Sequence, residues 1–264
     1  SSAASDVYKR QLLITGSPTW LYVSDRLIQF PMGIFAIAIG TVLLPSLSKA
    51  YAKKEIEAFT DQLAHAFKLI FFLAIPSLIG LILFASPLLA TIFQRGAFLW
   101  IDVQQASLSL IGFAFGLPFF MAMKVLVPAF FSRQNTKTPM LIALLSLLIN
   151  ISLNYLLAFY FELGHLGLAI ASSISAIVSV IILSMILKRE GLISFSGILS
   201  AFSLKVLTAS VALIVFLLIF NQHFDFELFT QAQRLIYLCV AVIGSIITYF
   251  GVSFLLGVRA TDFR

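Results

Sequence analysis

Long apolar stretches, separated by short polar segments, run along most of the chain. A transmembrane helix needs about 20 mostly apolar residues, whereas a transmembrane strand alternates apolar and polar positions, a pattern that this sequence lacks. Lipid offers no hydrogen-bond partner to an open backbone, so the pattern predicts an all-α, polytopic membrane helical bundle. We predict seven transmembrane helices, at residues 27–47, 67–93, 104–131, 139–160, 164–187, 203–220 and 234–257.

The composition indicates the same class of protein. Of the 264 residues, 61% are hydrophobic and 11% are charged, against roughly 25% charged in a soluble domain. The single cysteine, Cys239, lies inside the last predicted span, so we expect neither an intramolecular disulfide nor a cysteine-based metal site. His65, His165 and His223 lie at or beyond the edges of apolar stretches, where we expect solvated loop residues rather than haem ligands. No cofactor is predicted.

The first residues, SSAASDVYKRQ, contain neither an initiator methionine nor the long apolar region of a signal peptide. We therefore expect residues 1–11 to be a foreign or disordered leader. Residues 12–26 are predicted to form the extracellular end of a truncated preceding helix or loop. On this interpretation the chain is a fragment whose amino-terminal portion is missing.

Basic residues are distributed unequally between the two sides of the predicted spans, and the net charge is +6. By the positive-inside rule, the side richer in Lys and Arg is cytoplasmic, so the carboxyl terminus is predicted to be cytoplasmic. The other side holds Arg26, Arg95 and Arg234, and the chain enters the membrane there at Arg26. The basic loops suit anionic lipid head groups, and nucleic-acid binding is not predicted. The cytoplasmic set is Lys49, Lys53, Lys54, Lys68, Arg133, Lys137, Lys188, Arg189, Lys205, Arg259 and Arg264.

Two shorter patterns predict local structure. Residues 49–69 have apolar side chains at roughly helical spacing with Lys and Glu between them, which indicates a surface-lying amphipathic helix that leads into the second span. The sequence GFAFGLP, Gly112 to Pro118, contains a pair of small residues suited to close helix approach. The many Pro and Gly residues in the first three spans act either as hinges of a moving bundle or as the ordinary composition of membrane helices.

Two cations in or beside the predicted spans are candidates for a functional site. Lys124, about seven residues from the end of the third span, either faces a cavity or snorkels to the interface. Arg26 can hold a phosphate through two parallel hydrogen bonds, and the adjacent Asp25 can orient it. The alternative is that Asp25 and Arg26 form an interfacial charge pair at the membrane boundary. All acidic residues lie outside the centres of the predicted spans, which disfavours a drug/cation antiporter.

Four stretches of the sequence resemble one protein family. From about Thr15 onward the chain is similar to the carboxyl-terminal half of the MurJ/MviN lipid II flippases, within the multidrug/oligosaccharidyl-lipid/polysaccharide exporter superfamily. The stretches are YVSDRLIQFPMGIFAIAIGTVLLPSLSKAYA (22–52), ATIFQRGAF (90–98), KVLVPAFFSRQNTKTPM (124–140) and GHLGLAIASSISA (164–176).

The resemblance implies a fourteen-helix architecture of two six-helix lobes around a cationic cavity, followed by two helices that form a groove for an isoprenoid tail. Residues 27–190 would then be second-lobe helices, and 191–264 would be the groove pair. It implies that Arg26 meets the lipid pyrophosphate, beside Gln29, where relatives often have Glu. Three further cations match family positions, of which the last two are expected to serve orientation and gating at the cytoplasmic loop: Lys124, Arg133 and Lys137.

The function implied by the resemblance is transport, not enzymatic catalysis. A lipid II flippase moves an undecaprenyl-pyrophosphate-linked disaccharide-pentapeptide to the outer leaflet of the bacterial inner membrane by alternating access. The expected partners are lipid II, membrane lipids and the missing amino-terminal lobe of the same protein. Two alternatives remain open at this point: a flippase for another lipid-linked oligosaccharide, of O-antigen or capsule type, and a non-transporting scaffold.

Overall fold

The structure, a computed structural model, describes residues 16–193, 201–221 and 229–259 of the chain, and all regular secondary structure within them is helical. Two π-helical segments, Met32–Ile37 and Tyr155–Tyr160, join α1 to α2 and extend α7. The α-helices are α1 (Ser17–Pro31), α2 (Ala38–Ala52), α3 (Ile56–Leu83), α4 (Ala85–Phe93), α5 (Trp100–Ala114), α6 (Leu117–Phe131), α7 (Lys137–Asn154), α8 (Gly164–Arg189), α9 (Ala201–Asn221) and α10 (Gln231–Leu255).

Six helical segments in the described residues are long and apolar enough to cross a membrane, counting Ser17–Ala52 as one. The pair α5 and α6, bent by 42°, makes a seventh if it crosses as one span. The predicted all-α membrane bundle is therefore confirmed. Successive spans run in opposite directions, and we name the two ends of the bundle by a residue of each: the Arg95 end, where α1 begins, and the Lys53 end, where α2 ends.

The first span is longer than predicted. The helix begins at Ser17 rather than at residue 27, and Pro18 occupies its first turn, where the missing N–H costs nothing. Trp20 and Ser24 are buried, while the other face carries exposed polar side chains. That polar face lowered the mean apolar content, so residues 17–26 were predicted to lie outside the helix.

The predicted surface helix at 49–69 is not a separate element. The chain turns at Lys53 and Lys54, and α3 then runs without interruption from Ile56 into the membrane-length segment. Phe59 and Leu63 are fully buried in the protein core, so the apolar face of this stretch packs into the bundle. Its apolar spacing indicated a helix correctly, but the apolar face contacts protein rather than lipid.

The predicted close approach of helices at GFAFGLP is confirmed. A Cβ added to Gly112 would lie 2.9 Å from Cβ of Ala169 on α8, and one added to Gly116 would lie 2.5 Å from Oγ of Ser173. The hydroxyl of Ser173 donates to the carbonyl of Gly112 at 2.7 Å. Small residues at Gly112 and Gly116 and on the facing side of α8 therefore let α5 and the start of α6 pack closely against α8.

A similar approach joins α2 to α6. Pro128 has no N–H to donate to the carbonyl of Lys124, four residues earlier, so that carbonyl lacks its intrahelical partner. Gly40 lies against the same carbonyl: a Cβ at Gly40 would be 2.7 Å from the Lys124 oxygen. Since Gly40 has no side chain, the α2 backbone can cover a polar atom that α6 leaves open.

The prediction for His165 was wrong. His165 is 5% exposed, and its ring meets Trp20 edge to face with ring centroids 4.9 Å apart. Its Nδ1 lies 2.7 Å from Oγ of Ser109, and its Nε2 lies 3.0 Å from Oε1 of Gln105. Because both ring nitrogens have partners on α5, this histidine joins α5 to α8 inside the bundle instead of facing solvent.

Polar bonds also join α1 to α5 at the Arg95 end. The indole N–H of Trp20 donates to Asp102 at 2.8 Å, and the Ser24 hydroxyl lies 2.7 Å from the carbonyl of Ala106. These bonds fix one face of α1 against the core. The opposite face of α1 is therefore the one that remains exposed.

Candidate functional site

The exposed face of α1 carries the predicted cation Arg26. Its guanidinium carbon lies 4.8 Å from the ring centroid of Tyr22, one turn earlier, which is a cation–π distance. Counting 1.5 Å per residue from Ser17, Arg26 lies about 13 Å along the helix. The guanidinium is thus well inside the helix, on the side that the core does not cover.

Gln29 connects Asp25 and Arg26. Its amide nitrogen donates to Asp25 in a short hydrogen bond, and its amide oxygen lies 3.5 Å from Nη1 of Arg26. The spacings of four and three residues place all three side chains on neighbouring turns of one helix face. Within the part of the chain that the structure describes, Asp25 and Arg26 form no direct ion pair with each other. Asp25 therefore acts on Arg26 through the amide of Gln29.

This arrangement leaves most of the guanidinium available. Arginine has five N–H donors, and the bond from Nη1 to Gln29 is at the long limit. Among the described residues, no other acceptor is bonded to Arg26. A guanidinium that is held by a ring on one side and an amide on the other can present two parallel donors to a phosphate.

Lys124 lies at a different depth from Arg26. It is exposed on α6, and its carbonyl lies against Gly40. Gly40 is fourteen residues beyond Arg26, so the two cations are separated by about 20 Å along the helices. The structure therefore does not bring Lys124 into the Arg26 cluster, and a cavity-facing role for its side chain stays a prediction.

Arg133, at the Lys53 end, is held by a partner that the sequence did not indicate. Its Nη1 donates to Oε2 of Glu190 in a short ion pair, and its guanidinium lies 5.0 Å from the Phe130 ring centroid. The Arg133 side chain is 9% exposed, and its Nε and Nη2 are buried with no hydrogen-bond partner among the described residues. Lys137, the first residue of α7, is exposed.

We expect Glu190→Gln to lower the free energy of unfolding by about 1–2 kcal/mol, because the change leaves a nearly buried guanidinium without its charged partner. Glu55→Gln is the matched control, since the Lys53–Glu55 pair is more than half exposed on both sides and contributes less than about 0.5 kcal/mol. Reversible unfolding in mixed micelles would measure both changes. Equal losses for the two variants would contradict a structural role for the Arg133–Glu190 pair.

Two side chains of these clusters, Tyr22 and Glu190, were not predicted as site residues, and the bonds that Gln29 makes were not predicted either. Tyr22 and Gln29 lie four and three residues from Arg26, so helical spacing alone could have identified them. Glu190 is 57 residues from Arg133, and no local pattern joins the two.

Two hollows in the described part of the bundle lie elsewhere. One, of about 530 Å³, is near the Arg95 end and is lined by His165, Gln105 and Glu162 among others. The second, of about 380 Å³, lies between α6, α7 and α8 beside Asn150 and Ser175. Arg26, Asp25 and Lys124 line neither of them. Arg26 lies instead on the exposed face of α1.

The chain is similar to proteins of one family along most of its length. A family model described as "Lipid II flippase MurJ" matches residues 4–244. The chain is 35% identical over 267 residues to a probable lipid II flippase MurJ of Vibrio cholerae, covering 98% of the chain and 49% of that protein. It is 37% identical over 264 residues to a probable lipid II flippase MurJ of Haemophilus influenzae, covering 96% of the chain and 51% of that protein.

A solved structure is similar as well. It is described as lipid II flippase MurJ in an inward closed conformation, and it superposes with a TM-score of 0.71 at 27% sequence identity. The match covers 90% of this chain and 47% of the solved chain. The chain thus spans about half the length of the curated relatives and of the solved structure that it matches.

Proposed function

The chain belongs to the lipid II flippase MurJ family, and from this membership we propose that it is one half of a protein that moves lipid II from the cytoplasmic to the outer leaflet of the bacterial inner membrane. It is a multi-pass membrane protein of helical architecture. The family is one of transporters, and the proposed process makes and breaks no covalent bond.

The observation that carries the proposal is the exposed guanidinium of Arg26 inside a membrane-length helix. A pyrophosphate and a disaccharide-pentapeptide cannot cross hydrocarbon unaided, because their hydration is lost there. A fixed cation with free donors replaces part of that hydration. Asp25 and Gln29 orient the guanidinium and hold it when no lipid is bound.

The second lobe would act together with a first lobe of the same protein. The exposed face of α1 faces away from α5 and α8, and we propose that it forms one wall of a cavity between the two lobes. Rocking of the lobes would expose that cavity first to the cytoplasm and then to the outside. Lys124 would contribute a second positive charge nearer the Lys53 end.

We propose that residues 27–190 form second-lobe helices and that 191–264 form a pair that holds the isoprenoid tail. Residues 1–11, the predicted leader, lie outside the described residues. The excess of basic residues at the Lys53 end supports a cytoplasmic location for that end and for the carboxyl terminus. Arg133 and Lys137 would serve as orientation and gating contacts there.

Complementation tests the proposal directly. We define the chimera as this chain joined behind the first half of the Vibrio cholerae relative. After depletion of the host flippase, we expect the chimera to restore lipid II to the outer leaflet, measured by its accessibility to a membrane-impermeant reagent. The first half expressed alone is the control. Lipid II that still accumulates on the inner side would contradict the flippase proposal.

The matching family and the reported relatives are lipid II flippases, and no contact among the residues that the structure describes favours a flippase for an O-antigen or capsule precursor. The scaffold alternative is tested by the same assay, because a scaffold tolerates the loss of the Arg26 charge.

A further inference from the structure

A polar bond joins α3 to α10 among the residues that the structure describes. The hydroxyl of Tyr249 on α10 donates to the backbone carbonyl of Phe72 on α3 at 2.7 Å. Tyr249 is 1% exposed and Phe72 is 7% exposed, so neither group reaches solvent. The rings of the two residues are also in contact, with centroids 5.1 Å apart.

The Phe72 carbonyl needs this donor because of Pro76. In a regular helix the N–H of residue 76 would bond the carbonyl of residue 72, but proline has no N–H. In lipid, an open carbonyl cannot turn to water, and a neighbouring helix must supply the donor. A buried tyrosine hydroxyl has the same requirement, so each group satisfies the other.

A second set of polar bonds joins α10 to α4 near the Arg95 end. The amide of Gln231 donates to the carbonyl of Thr91 at 2.7 Å, and Nη1 of Arg234 donates to Oε1 of Gln94 at 2.6 Å. Arg234 and Tyr249 are fifteen residues apart, which is about 22 Å along the helix. The Arg234 level therefore holds α10 against the end of α4, and the Tyr249 level holds it against α3, so α10 is bonded at two points along its length.

Two ring contacts of Phe72 are apolar and do not by themselves fix a register. Phe72 meets Phe202 on α9 and Phe250 on α10, with ring centroids 6.4 Å and 5.5 Å apart. Aromatic faces tolerate sliding by part of a turn, whereas a hydrogen bond at 2.7 Å does not. In lipid, where helices gain little hydrophobic free energy by associating, such bonds carry the specificity of packing.

We propose that Tyr249 is a positioning residue that sets the register of α10 on α3, and thereby the place at which α9 and α10 meet an isoprenoid tail. The part that concerns the tail rests on the proposed function. The part that concerns the register stands on the Tyr249–Phe72 bond alone.

Cross-linking measures the register without any transport. In a Cys239→Ser background, Phe72→Cys and Phe250→Cys would be joined by a short bifunctional thiol reagent in the purified chimera. We expect Tyr249→Phe to lower the yield of this cross-link by about threefold to tenfold, in line with the strength of hydrogen bonds between membrane helices. Ser245→Ala is the matched control, because the Ser245 hydroxyl bonds the carbonyl of Ala241 on its own helix. An unchanged yield in Tyr249→Phe would overturn the proposal.

A second variant separates positioning from simple stabilisation. Pro76→Ala returns an N–H to the Phe72 carbonyl, so Tyr249→Phe/Pro76→Ala should regain the wild-type amount of folded protein. It should still show the low cross-link yield, because no bond then joins α10 to α3 at this level. Full recovery of the cross-link in the double variant would show that Tyr249 merely satisfies a carbonyl, and would contradict its positioning role.

Transport of two lipids tests the part that concerns the tail. In proteoliposomes, we expect Tyr249→Phe to slow the transport of lipid II that has a full-length isoprenoid tail by about threefold to tenfold. The transport rate of lipid II with a short tail should not change. Equal slowing of both lipids would contradict a role in tail placement. If the unsubstituted chimera moves neither lipid, the proposed function fails, while the cross-link yields still decide whether Tyr249 sets the register.

Discussion

Arg26→Ala should reduce the appearance of lipid II in the outer leaflet by roughly 10- to 100-fold in the complementation assay. The change removes a guanidinium whose donors, apart from the Nη1 bond to Gln29, have no partner among the described residues, and charge-assisted hydrogen bonds of this kind contribute about 1.5–3 kcal/mol. Arg26→Lys should recover part of the loss, since an ammonium keeps the charge but cannot present two parallel donors.

The control for Arg26 is another exposed arginine. Arg95 lies at the end of the bundle, and its Nη2 donates to the carbonyl of Ile92 on the preceding helix at 3.2 Å. Arg95→Ala should leave transport within about twofold of the unsubstituted chimera, because surface charges of this kind contribute little. Full transport by Arg26→Ala, at a normal level of protein in the membrane, would favour an interfacial marker or a scaffold over a flippase.

Gly40→Ala should lower the free energy of unfolding by about 2 kcal/mol. The added Cβ would lie 2.7 Å from the carbonyl oxygen of Lys124, and a backbone atom cannot move aside as the end of a side chain can. Helices α2 and α6 would have to separate, which would leave that carbonyl open to lipid. Reversible unfolding in mixed micelles, monitored by circular dichroism, would measure the loss.

Gly80→Ala supplies the matched comparison. Gly80 is also inside a membrane-length helix, and a Cβ there would meet no atom within 4 Å. The same substitution should therefore raise the free energy of unfolding, by about 0.5–1 kcal/mol, because alanine favours the helix over glycine. If Gly40→Ala and Gly80→Ala changed the free energy of unfolding in the same direction, the contact between Gly40 and Lys124 would not limit the packing of α2.

The helical class and the spans were predictable because each helix that crosses a membrane must be apolar over about 20 residues. Apolar length marks each crossing, and the small residues Gly112 and Gly116 marked a close contact in advance. The start of the first helix was not predictable in this way. Residues 17–26 have a buried face and a polar face, and averaging over both faces conceals a helix whose polar side is not covered by its own half of the bundle.

The candidate site was predictable in part. Arg26 was identified from the Asp25–Arg26 pair at the start of an apolar run and from its match to a family motif, and the contacts of its neighbours Tyr22 and Gln29 follow from helical spacing. The prediction for His165 was wrong, and the prediction for Arg133 lacked its partner. In both cases the partner is distant in sequence: Ser109 is 56 residues from His165, and Glu190 is 57 residues from Arg133. Long-range pairing depends on how helices meet, which hydropathy does not encode.

The π-helical segment Met32–Ile37 has a consequence for the Gly40 contact. A π turn accommodates one residue more than an α turn, so rewinding the segment to ordinary α geometry would add about 100° of rotation to everything after it. Arg26 lies before the segment and Gly40 lies after it, so the two would no longer keep the same angular relation. Gly40 would swing away from the Lys124 carbonyl while Trp20 and Ser24 kept the beginning of the helix in place. The π-helical segment is therefore the point at which the first half of the span, with Arg26, can rotate relative to the second half, with Gly40.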